Sequence, residues 1–171
     1  MGAALTGPVN DLTLRDIAEL VDVFYIGGNK AGALFGAELI ICRDELKPDY
    51  RFMIKQRGAM MAKGWLLGIQ FEELFQNHLF YDMAAHSNDM AAILRKGIEQ
   101  CGYSFLSESM TNQLFPILPD AVIEALSADF LYSIQERGTN GSSAIRLVTS
   151  WATREDACHA FVAALQNCKI K

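Results

Sequence analysis

Two nearly continuous apolar runs, Val23-Phe24-Tyr25-Ile26 and Ala37 to Cys42, flank the turn Gly27-Gly28-Asn29-Lys30-Ala31-Gly32. Unbroken apolar runs, rather than alternation, predict strands covered on both faces, as in α/β sheets. Upstream, Leu14, Ile17, Ala18 and Val21 share one helical face behind Thr13, with Asp16 in capping position. After a charged connection, Arg43 to Asp49, the spacing turns helical from Tyr50 to Asn77, with breaks near Gly58 and Gly64. Trp65, Leu66, Ile69, Phe71, Leu74 and Phe75 make a strongly apolar surface there. A long helix from Tyr81 to Gln100, stopping at Gly102, carries an inward stripe of Met83, Ala84, Met90, Ala91, Leu94 and Ile98.

The last third changes character. Gln113 to Leu118 reads as a strand interrupted by Pro116, which argues for an edge or a bulge. Pro119 to Leu126 reads as a short helix with proline at its start. Strands at Phe130–Gln135 and Ala144–Ser150 are joined through Gly138-Thr139-Asn140-Gly141, a hairpin signal. Thr153 is expected to cap a final helix with Ala157, Phe161, Leu165 and Cys168 on one face. The order predicts a small sheet with helices on one side.

Composition narrows the function classes. The chain has 171 residues, 51% hydrophobic, with a mean hydropathy of +0.13. That is much apolar material for its length, and it predicts a surface buried against a partner. No apolar run approaches the roughly 20 residues that cross a bilayer. Net charge is −5, and the only cationic cluster is Arg51, Lys55, Arg57 and Lys63, so no nucleic-acid footprint is expected. Cys42, Cys101, Cys158 and Cys168 lack Cys-x-x-Cys spacing and read as free thiols in a reducing cytoplasm. His78, His86 and His159 complete no zinc set at the usual spacing.

Lys30 carries the most chemistry. Alone, Gly-Gly-Asn-Lys reads as a solvated turn, or as a lysine whose glycine neighbours let a ligand come close. It fails the phosphate-loop pattern. The flanking residues add more. Asp11-Leu12-Thr13-Leu14, then Phe24-Tyr25-Ile26-Gly27-Gly28-Asn29-Lys30-Ala31-Gly32-Ala33-Leu34-Phe35-Gly36, then Ile54 to Gly64 resemble the low-specificity threonine aldolases. These belong to the β-eliminating lyase group of pyridoxal-phosphate enzymes, with the aspartate aminotransferase type of fold. The resemblance runs over essentially the whole chain and is strongest from Asp11 to Phe75. The family turn has threonine where Asn29 stands here.

The resemblance implies an α/β fold. Residues 1–80 would be the C-terminal part of a pyridoxal-phosphate-dependent transferase-like large domain, with two strands and long helices. Residues 81–171 would be a small α+β domain with its long linking helix. Lys30 would hold pyridoxal 5'-phosphate as a Schiff base, Arg57 and Lys63 would meet its phosphate, and Arg146 would hold the substrate carboxylate. The implied parent activity is aldol cleavage of β-hydroxy-α-amino acids, threonine to glycine and acetaldehyde. Family members are roughly twice as long, and their ring-nitrogen aspartate, phosphate turn and stacking aromatic lie upstream of the matched region. The chain therefore reads as the C-terminal half of an aldolase, expected to work as a homo-oligomer or with a complementing N-terminal half, away from membranes and nucleic acids. Two other expectations stay open: a β-eliminating lyase of the tyrosine or tryptophan type, or a non-catalytic fragment acting only in association.

Overall fold

Helix α5 (Leu79–Gln100) is the spine of the molecule, in a computed structural model that describes residues 1–168. Its apolar positions recur at helical spacing, so Ala84, Met90, Ala91, Leu94 and Ile98 are buried along one side, while Met83 is half-buried. It ends where Gly102 takes a left-handed φ of 76°. The preceding elements are α1 (Gly2–Leu5), α2 (Leu14–Leu20), β1 (Val23–Gly27), a 3-10 turn (Asn29–Ala31), β2 (Ala37–Ile41), α3 (Tyr50–Gln56) and α4 (Trp65–Phe75). The following ones are β3 (Gln113–Leu114), β4 (Ile117–Pro119), α6 (Asp120–Leu126), β5 (Ser133–Arg137), β6 (Ser142–Val148) and α7 (Glu155–Cys168). The last three residues of the 81–171 segment lie outside the described residues.

Strand β6 organises the C-terminal sheet. It pairs antiparallel with β3 (Gln113 opposite Val148), with β4 (Ile117 opposite Ala144) and with β5 (Ser133 opposite Arg146). Pro116, lacking an N–H, sits between β3 and β4, where its carbonyl accepts from Ile145 N at 3.1 Å. Beneath this sheet lies the larger core, where α5, α6 and α7 bring Leu94, Ile98, Leu126, Phe161 and Leu165 against Leu114, Leu118 and Ile145. Full burial of each such side chain contributes about 1.5–3 kcal/mol. Gly97 lets α7 come close: a Cβ there would lie 2.3 Å from Val162 Cγ2.

Among the described residues, strands β1 and β2 pair only with each other, in register from Val23 opposite Ile41 to Gly27 opposite Ala37. A smaller core of Ile26, Ala31, Ala33, Phe71, Leu74 and Phe80 joins this hairpin to α4 and α5. Phe75 stacks on Phe80 with ring centroids 4.9 Å apart.

Several local expectations need correction. The hairpin strands are not covered on both faces. Only Ile26 of β1 is buried, and Tyr25 is 69% exposed, because the sheet has two strands here and α4 reaches one side. The strands of the second hairpin lie closer to their turn than the apolar residues suggested: Phe130–Tyr132 stay outside β5, which runs on to Arg137, and β6 starts at Ser142 and closes at Val148. The Gly138-to-Gly141 turn sets that register, with Gly141 at φ 77° and Gly138 N donating to Ser142 O. Thr153 does not cap α7. Its hydroxyl accepts from Ser150 N at 2.8 Å, which closes the preceding turn instead. Helix α1 was not anticipated from the sequence.

Candidate functional site

Lys30 is set by the shape of its turn. Gly28 N donates to Gly36 O at 3.0 Å, and Ala31 N and Ala33 N both donate back to Gly28 O. Gly28 has no room for a side chain, since a Cβ would lie 2.8 Å from both Ala33 Cβ and Phe71 Cζ. Gly32, at φ 104°, reverses the chain. Helix α4 clamps the far side, where Gln70 Oε1 accepts from Leu34 N at 2.8 Å. Ala31 is buried in the smaller core, and its neighbour Lys30 is turned outward and exposed. Among the described residues Lys30 has no hydrogen-bond or ion-pair partner.

Two cavities meet at Lys30. One, of about 670 Å³, runs along β1 past Phe24, Tyr25 and Gly27. The other, of about 160 Å³, is walled by the C-terminal elements through Ser87, Asn112, Gln113 and Val148. The lysine thus stands where the hairpin faces the second sheet. Some of the polar groups in that wall are already used. Ser87 Oγ donates to Ala84 O at 2.7 Å, Asn112 Nδ2 donates to Thr149 O at 2.7 Å, and Thr149 Oγ1 donates to Ser87 O at 2.6 Å. These bonds tie α5, β3 and β6 together behind the cavity.

Arg146 is exposed on β6 and pairs across to Ser133. It lines neither cavity. It stands two residues from Val148, which does, so both side chains leave the same face of the sheet, about 7 Å apart along the strand. Its guanidinium has no carboxylate within ion-pair distance among the described residues. Arg57 caps the C-terminus of α3, and Lys63 lies in the turn before α4. Both are exposed, and the chain does not bring them to the cavities at Lys30.

The remaining candidates do structural work. His86 Nε2 bonds Thr153 O at 2.8 Å, joining α5 to the start of α7, and His78 precedes α5 at φ 64°. No group of His, Cys, Asp or Glu among the described residues could hold a metal ion. No helix there is long and apolar enough to cross a membrane. All four cysteines are free; Cys101 and Cys158 are buried, and Cys42 and Cys168 half-buried. Burial, and then the nearby Glu155 and Asp156 carboxylates, push the Cys158 thiol up from its ordinary value. Sequence reasoning missed the wall formed by Gln113 and Val148, because two strands far apart in the chain build it.

No protein-family model matches the chain, and no curated protein matches it. Solved structures do. A threonine aldolase from Leishmania major is 55% identical, with a TM-score of 0.96 over 98% of this chain and 49% of that one. The serine palmitoyltransferase of Sphingomonas wittichii has a TM-score of 0.68 at 13% identity, over 99% of this chain and 45% of that one. A serine palmitoyltransferase from S. paucimobilis, solved with a bound PLP–myriocin aldimine, has a TM-score of 0.59 at 11% identity, over 88% and 40%. The last two show the fold alone: the α/β architecture of these transferase-type proteins, present in part. With 55% identity along nearly its whole length, the chain matches about half of a threonine aldolase, 49% of the length of that relative.

Proposed function

We propose that the chain is the Lys30-bearing half of a pyridoxal-phosphate-dependent aldolase that cleaves β-hydroxy-α-amino acids. The observation that carries this is the unpartnered Lys30 amine at the junction of two cavities, in a sequence 55% identical to a threonine aldolase. An exposed primary amine with no competing ion pair fits the covalent anchor of an aldehyde cofactor. Pyridoxal phosphate, when bound, supplies an electron sink for the carbanion left at the amino acid's α-carbon. The identity to an aldolase favours cleavage of the Cα–Cβ bond over β-elimination.

The chain's own residues divide the remaining work. Lys30 would hold the cofactor's aldehyde carbon through its amine. Arg146 presents a planar fork to the α-carboxylate, a bidentate match that lysine cannot make. Arg57 and Lys63 line neither cavity at Lys30, so we assign them to the cofactor phosphate of a second copy. Residues 1–80 act as the C-terminal part of the cofactor-binding large domain and residues 81–171 as a small domain, with its long linking helix, that brings Arg146 and the β3–β6 wall to the lysine. The products are glycine and acetaldehyde when threonine is the substrate.

The test is borohydride reduction of the purified chain after addition of pyridoxal phosphate, with the labelled residue located by mass spectrometry. A reduced adduct on Lys30, absent in Lys30→Ala, is the expected result. No adduct at Lys30 overturns the proposal. Threonine cleavage is expected when the chain is mixed with the complementary half of a family member. The chain alone should turn over about 10²-fold more slowly or worse, because a preorganised group absent from the transition state typically costs that much in rate.

A further inference from the structure

We propose that Gln113 is a second hydrogen-bond donor for the amino acid's α-carboxylate, acting beside Arg146. The inference rests on the reading of Lys30 and Arg146 given above. Gln113 is half-buried on β3 and lines the smaller cavity together with Lys30. Its neighbour Leu114 points the other way, into the core, with 1% exposure. The other polar residues of that wall are committed: Ser87 Oγ to Ala84 O, and Asn112 Nδ2 to Thr149 O. The Gln113 carboxamide has no hydrogen-bond partner among the described residues. The amide is therefore free to bond a ligand, and it sits where the substrate is expected.

Strand register selects the carboxylate as its target. Gln113 pairs directly with Val148, so their side chains share one face, with Cβ atoms about 5 Å apart. Arg146 leaves the same face two residues before Val148. Amide and guanidinium therefore flank one region of the sheet surface, next to the cavity that ends at Lys30. A carboxylate has about four lone-pair positions. The arginine fork takes two of them, and the Gln113 Nε2–H group takes a third. That arrangement fixes the rotation of the carboxylate, and with it the placement of the α-carbon relative to the lysine.

The experiment compares threonine with threoninol, which keeps the amine and the hydroxyl but replaces the carboxylate by a hydroxymethyl group. Each is titrated into the isotopically labelled chain, loaded with pyridoxal phosphate and mixed with the unlabelled complementary half of a family member, and the Gln113 side-chain amide signal, identified by its loss in Gln113→Ala, is followed by NMR. We expect threonine to move this signal and threoninol to leave it in place. Gln113→Ala should lower the preference for threonine over threoninol by about tenfold, one charge-assisted hydrogen bond. An amide signal that ignores threonine, or an unchanged preference in Gln113→Ala, overturns the assignment. The borohydride experiment separates the two levels. A Lys30 adduct with an indifferent Gln113 removes only this inference, and a missing adduct removes the reading beneath it as well.

Discussion

Asp16 and Thr13 hold each other at the start of α2. Thr13 N and Thr13 Oγ1 both donate to Asp16 Oδ2, at 2.7 and 2.6 Å, and Asp16 N donates back to Thr13 Oγ1 at 3.3 Å. These bonds hold the Asp16 carboxyl below its ordinary value of 3.8, with the Thr13 side chain as the main cause. Because the folded value is the lower one, the stabilisation is complete above about 3.8 and is lost as pH falls through the folded value. Carbon chemical shifts of residues 14–20 should therefore stay helical at neutral pH and drift toward coil at strongly acidic pH. Thr13→Ala should weaken the helix at neutral pH and blunt the acid step. Helical shifts that persist unchanged through acid would contradict this role. This cap could be read from the sequence because all its partners lie within one helical turn. Lys30 was legible for a similar reason, since glycines on both sides of a lysine force a turn. Gln113 was not, because its meaning depends on Val148 and Lys30, neither of which is near it in the chain.

At the scale of elements, the packing of α5 on α7 gives the sharpest expectation. Replacing Gly97 by alanine would place a Cβ 2.3 Å from Val162 Cγ2 and 2.6 Å from Cγ1. Alanine is favoured over glycine inside a helix by about 0.5–1 kcal/mol. Overpacking a close helix interface typically costs about 1–3 kcal/mol. Valine is stiff at χ1 and cannot swing aside cheaply, so the steric cost wins. Gly97→Ala should lose roughly 1 kcal/mol in urea unfolding, and adding Val162→Ala should restore part of it. A Gly97→Ala variant more stable than the parent would show that the helices can simply move apart. The helices were the most legible elements, because α5 repeats its apolar stripe along its whole length and tertiary packing only reinforces it. Strands were harder. The β5–β6 register depends on the positive φ of Gly141, which a run of apolar residues cannot reveal. The continuous apolar runs of β1 and β2 suggested two covered faces, yet only Ile26 in β1 is buried in the chain as it stands.

The same uncovered hairpin dominates the whole molecule. Strands β1 and β2 each have a single partner, which leaves a row of backbone donors and acceptors free along each outer edge. In the same half of the chain Leu34 is 84% exposed, Phe52 67% and Trp65 63%, with Met53 and Ile69 also more than half exposed. Apolar surface of this extent, together with open strand edges, favours association. The large core around α5 and β6 lies elsewhere and does not cover it. A two-stranded sheet is marginal by itself, so the hairpin should also be the least protected part of the chain. Two measurements follow from this. Sedimentation velocity should show the lone chain associating across a micromolar concentration series, and Phe52→Lys with Trp65→Glu should shift it toward monomer. Hydrogen exchange should be faster at residues 23–41 than at residues 142–148, and the gap should narrow when the complementary half of a threonine aldolase is added. A compact monomer at every concentration, with the hairpin as protected as β6, would mean that the small core of Ile26, Phe71, Leu74 and Phe80 is enough to hold the lysine turn without any partner.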